Sequence, residues 1–148
     1  MVKLSARIFG LPEFETLHQE VMRRSVVKIR GVYGSFAAFI TLFLHQTFEA
    51  PVLAILPDNE SAEKLTDDLQ TLTTPATSAF LPADEVVPFD RGLFTPALYS
   101  QRLNALTNIL EGKSRILVVS PQALIRRVEA PSTLQKNLLR LNVGEEMD

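Results

Sequence analysis

The chain contains no cysteine, which removes both a disulfide framework and a thiolate metal site and fits a reducing compartment. Its two histidines, His18 and His45, lack the i, i+4 spacing with which a helix offers two imidazoles to one ion. No metal site is expected. The longest apolar run, Phe36 to Leu44, is broken by Thr41 and falls short of the roughly 20 residues that cross a bilayer. The opening MVKLSARIFGLPEFE has no apolar stretch of the kind that directs secretion. A soluble intracellular protein without a membrane partner is therefore predicted. Positive charge is not in excess either: 15 Lys and Arg against 17 Asp and Glu give −2 at pH 7, which argues against a free-standing binder of nucleic-acid phosphates. Internal repeats and low-complexity linkers are absent.

What is there suits one α/β domain spanning 1–148. At 148 residues, with 46% hydrophobic and 22% charged residues, the chain can bury a sizeable core. Leu11-Pro12 predicts a helix start, with Phe14, Leu17 and Val21 on one face. Val52 to Leu56 is a short continuous apolar run, expected as a parallel strand covered on both faces. Asp58 then caps a helix that turns Ala62, Leu65, Leu69 and Leu72 inward. Ser78 to Leu81 reads as the next strand and Pro82 to Pro96 as a loop. Tyr99, Leu103, Leu106 and Leu110 mark a further helix, stopped at Gly112. Arg115 to Val119 is a strand, and Ser120-Pro121 starts a helix to about Val128. Leu138 to Leu141 is a last short strand candidate. Strands alternating with helices predict a mainly parallel sheet with right-handed crossovers.

The stretch from Val26 to Phe48 carries the chemical question. A β-branched run (Val26, Val27, Ile29) meets Gly31 and Gly34, and an apolar helix from Ser35 follows. That layout, strand to tight loop to buried helix, is also that of a P-loop, GxxxxGK[ST], in which backbone amides cradle phosphates, Lys reaches them and the hydroxyl holds magnesium. Aligned on Gly31, the second glycine becomes Phe36, the lysine Ala37 and the hydroxyl residue Ala38. The loop keeps its outline without its chemistry, and an ordinary βα turn explains the glycines equally. Ser35 lies outside any GxSxG arrangement. Asp84 and Glu85 follow a strand but lack the lysine and hydroxyl that would give them a phosphate and magnesium to serve. No catalytic residue and no cofactor are expected. Phe89, Asp90 and Arg91 in the loop, and Arg126 and Arg127 toward the end of the last strand-helix unit, are candidate partner contacts, the two arginines near the sheet edge that strand Val26–Ile29 would occupy.

Taken together, GVYGSFAAF, VLAILPDNESAEKLTDDL, LPADEVVPFD, SQRLNALTNIL, RILVVSPQALIRRV and LLRLNVGEEMD, in that order and spacing, resemble the N-terminal UvrB-like module of bacterial transcription-repair coupling factors. The resemblance covers nearly everything from Leu11 onward. It implies a P-loop NTPase-like fold of the RecA and UvrB domain 1 kind, with a degenerate Walker A loop at Gly31, Gly34, Ser35, Phe36, Ala37 and Ala38. It also implies a bacterial cytoplasmic protein of nucleotide excision repair. The parent would be an ATP-driven DNA translocase that displaces stalled RNA polymerase and recruits UvrA, with this module as a non-catalytic scaffold for the UvrA-recruiting region and for autoinhibition. Its partners would be the other domains of the same protein, with UvrA, RNA polymerase and DNA met through the full-length chain. Residues 137–148 would begin the next subdomain. Pro88 to Tyr99 is too short for the long hairpin with which UvrB clamps DNA. Two other readings stay open: a nucleotide-binding enzyme with an atypical loop, and a DNA-binding fragment related to UvrB.

Overall fold

The structure is a computed structural model that describes residues 2–83, 96–125 and 127–137. It begins with two helices, α1 (Val2–Phe9) and α2 (Pro12–Arg23). Pro12 sits in the first turn of α2, where its missing N–H costs nothing. Helix α3 (Phe36–Phe48) is apolar nearly all round and buries Ala38, Thr41, Leu42 and Phe43. The hydroxyl of Thr41 is tolerated there because it donates to the Ala37 carbonyl at 2.8 Å. His45 closes this helix, its Nδ1 lying 2.9 Å from the Ala50 carbonyl oxygen. Phe9, Phe14, Phe36 and Phe43 stack the N-terminal helices onto α3, with Phe14 to Phe43 at 4.8 Å and Phe9 to Phe43 at 5.4 Å between ring centroids.

Three parallel strands follow, β1 (Val52–Ile55), β2 (Ser78–Leu81) and β3 (Ile116–Val119), in the order β1-β3-β2. Helix α4 (Asn59–Leu72) links β1 to β2, and α5 (Pro96–Leu110) lies between β2 and β3 in sequence. Two short helices, α6 (Pro121–Ile125) and α7 (Pro131–Asn137), come after β3. The period of two along each strand separates two cores. Ile116 and Val118 of β3 join Ala38, Leu42, Ala62, Leu65 and Leu69 of α3 and α4. On the opposite face Ala79, Leu81 and Val119 meet Ala105 of α5 and Ala123 of α6. The α4 pattern is as its sequence spacing predicts, with Ala62, Leu65 and Leu69 buried and Asp58 accepting from the Ser61 amide at 2.7 Å. Gly112, at φ +68°, ends α5.

Three expectations fail. Val26–Ile29 forms no strand and joins no ladder: among the described residues no hydrogen bond to the backbone of residues 25–32 is found. β1 is covered on one face only, leaving Leu53 52% and Ile55 55% exposed, because α5 and α6 pack over β2 and β3 and nothing described reaches across to β1. Helix α6 stops at Ile125 rather than about Val128. The strand candidate Leu138–Leu141 lies outside the described residues.

Candidate functional site

In a parallel sheet each returning helix runs opposite to its strands, so α3, whose end is three residues from β1, has its start over the carboxyl edge of the sheet. That edge is where open α/β sheets place ligands. The turn at Gly31–Ser35, which leads into α3, therefore lies toward that edge. Gly31 and Gly34 have φ of +76° and +52°, and a Cβ added at either would meet nothing within 4 Å. The glycines serve the left-handed backbone, not a close approach. The loop closes through the Phe36 amide donating to Tyr33 O at 3.2 Å, and Ser35 at the helix start makes no capping bond with its side chain.

Side chains in the loop face away from phosphate chemistry. The Phe36 ring packs against Phe14, centroids 5.8 Å apart, Ala37 is half-buried, and Ala38 is wholly buried among Leu42, Ala62 and Leu65. Beside the loop an open groove of about 280 Å³ runs between α2 and residues 27–30, floored by Phe14, Leu17, Val27 and Ile40. Its rim carries two acids, Glu13 and Glu20, and two bases, Lys28 and Arg30. Such a rim offers no net field for an anion.

The same edge holds a network that the motifs did not reveal. Asn59, first residue of α4, accepts at Oδ1 from the Ser120 hydroxyl at 2.8 Å and from the Ala83 amide at 3.1 Å. Its Nδ2 donates back to the Ala83 carbonyl at 3.3 Å. One amide thus ties the start of α4 to the ends of β2 and β3. The buried Arg102 of α5 donates through Nη1 to the carbonyl of Pro82, next along. At Asp58 the amide and hydroxyl of Ser61 hold the carboxyl below its ordinary pKa.

Of the proposed partner contacts, Arg127 is exposed, while Arg126, Phe89, Asp90 and Arg91 lie outside the described residues, as do Asp84 and Glu85. The shared edge expected for the arginines and strand Val26–Ile29 is not formed, since that segment is no sheet strand and α6 follows the central strand β3. Among the described residues no three His, Asp or Glu side chains gather to hold a metal, and no helix is long and apolar enough to cross a membrane.

No protein-family model matches the chain. No solved structure matches it. Two curated relatives do: a transcription-repair-coupling factor of Myxococcus xanthus, 29% identical over 143 residues, covering 91% of this chain and 12% of that protein, and a transcription-repair-coupling factor of Bacillus subtilis (strain 168), 28% identical over 121 residues, covering 81% and 10%. The chain spans about a tenth of the length of the curated relatives it matches. Over most of its length, then, this chain is similar to a stretch of transcription-repair-coupling factors.

Proposed function

We propose that the chain is a non-catalytic, UvrB-like scaffold module of a transcription-repair coupling factor. In this reading it supports the UvrA-recruiting region and packs against other domains to restrain the factor until RNA polymerase stalls. The parent protein would be an ATP-dependent DNA translocase, and contacts with UvrA, RNA polymerase and DNA would be made by the full-length chain in the bacterial cytoplasm. The observation that supports it most is the loop at the carboxyl edge of the sheet. Its glycines hold left-handed backbone ahead of α3, yet the three positions that would carry phosphate and magnesium chemistry are Phe36, Ala37 and Ala38, which pack against apolar neighbours. Without a cation or hydroxyl there, transferring a phosphoryl group has no electrostatic support.

Titration calorimetry with magnesium-ATP tests this. The expected result is no saturable heat and no rise in melting temperature with nucleotide. Saturable micromolar binding would overturn the scaffold reading and make the Gly31 loop a working site.

A further inference from the structure

Helix α5 buries an arginine. Arg102 keeps only 8% of its surface accessible, although arginine is almost never buried without a partner. Its guanidinium stays charged throughout the pH range in which proteins fold, so burial cannot be relieved by losing a proton, and it presents five N–H donors. One of them is accounted for: Nη1 donates to the carbonyl of Pro82, the residue after β2. A carbonyl oxygen satisfies that donor but leaves the charge standing, and a buried charge is costly until an opposite one meets it.

No such charge comes from the described residues. Their ion pairs are Arg24 with Glu20, Lys64 with Glu60 and Lys113 with Glu111. Helix α5 has no acidic residue of its own, so no partner waits one turn away. Asp58, an acid at the same edge of the sheet, is exposed and turns its carboxyl to the Ser61 amide. The neighbouring polar groups are engaged with one another: the Ala83 carbonyl with Asn59 Nδ2, and Asn59 Oδ1 with the Ala83 amide and the Ser120 hydroxyl. The carboxyl end of β2 is thus left with a positive charge and donors to spare.

We propose that Arg102 anchors an oxyanion site at the carboxyl edge of the sheet, one that takes a small phosphate or carboxylate group. The planar fork of N–H groups matches two oxygens of such a group, which is why arginine recognises both. The edge is the place where open α/β sheets bind ligands. The 8% of Arg102 that stays accessible gives a small anion its way in, and the site needs no room for a base or a sugar. It is separate from the Gly31 loop. Helix α5 packs on the face of Ala79, Leu81 and Val119, whereas α3 packs on the face of Ile116 and Val118, and β2 and β1 are the two outer strands. The site therefore goes beyond the scaffold reading and does not depend on it.

Thermal unfolding of the 148-residue chain and of Arg102→Gln tests the site, with inorganic phosphate and acetate as probes and chloride holding the ionic strength constant. In chloride alone the variant is expected to melt no lower than the parent chain, since it sheds an unpaired buried charge and keeps a donor for Pro82. As phosphate or acetate replaces chloride, the parent's melting temperature should climb with the logarithm of the anion concentration once the site fills. It then overtakes the variant, whose midpoint stays put. A response to phosphate alone makes the ligand a phosphate group, and a response to acetate as well makes it a carboxylate too; both support the site. On the unmodified chain, the Nε–H resonance of Arg102 in isotope-labelled protein should shift saturably along the same titrations, a readout that holds even where the variant fails to fold. An Nε–H signal that neither anion moves would show the charge already balanced within the chain, and equal responses of parent and variant would place the anion elsewhere; either result overturns the site. Magnesium-ATP binding that persists in Arg102→Gln would count against the scaffold reading and not against this site.

Discussion

Asn59 gathers three chain segments with one side chain, and its contribution follows from what its removal strands. Truncation to alanine leaves the Ala83 amide and carbonyl and the wholly buried Ser120 hydroxyl without their partner. A buried polar group left unsatisfied costs about 1–3 kcal/mol, so Asn59→Ala is expected to destabilise the chain by about that amount in urea unfolding. Ser120→Ala removes a donor but leaves Asn59 bound to Ala83, and should cost less. A loss for Asn59→Ala no larger than that for Ser120→Ala would show the bridge to Ala83 to be slack. The residue was not legible as a site because its partners lie 24 and 61 positions away. In sequence it is only the first residue after an Asp cap. The glycines were legible, since left-handed turns need them, but that they face open space was not: spacing reports backbone hand and says nothing of what the backbone approaches.

At the scale of elements, periodicity carried the reading wherever one face of an element meets a core. Helices α2, α3 and α4 and all three strands lie where their apolar spacing put them; α5 forms too, but buries Arg102 and Ala105 while Tyr99 and Leu110 stay exposed. Helix α1 was missed, because among its described side chains the apolar one packed on the core is Phe9, at its end. Val26–Ile29 reads as a strand from its β-branched residues but forms none; pairing needs a neighbour, which propensity does not specify. Helix α4 offers a pH test of its start. Hydrogen bonds from Ser61 lower the Asp58 pKa from its ordinary 3.8, so the ionised cap stabilises the folded chain. That contribution is whole above the ordinary value and is lost as pH falls through the lower, folded one. Asp58→Asn keeps a capping oxygen that does not titrate. Acid unfolding followed by circular dichroism should therefore show a shallower decline below about pH 4 in the variant than in the parent chain; parallel curves would mean that the Asp58 cap adds nothing in solution.

For the whole molecule, the distribution of exposed apolar surface separates what the chain needs to fold from what it offers. Ile116 of β3 is wholly buried, whereas Ile55, in the neighbouring strand, is 55% exposed although both belong to one sheet. Exposed positions that touch no core usually tolerate substitution within about 0.5 kcal/mol. Ile55→Lys should accordingly leave the urea midpoint of the 148-residue chain nearly unchanged, while Ile116→Lys, which buries an unpaired ammonium, should abolish cooperative folding. A urea midpoint lowered by Ile55→Lys well beyond that margin would mean that this face of β1 is packed in solution. Exposure would then no longer separate the side chains that hold this sheet together from those that merely belong to it.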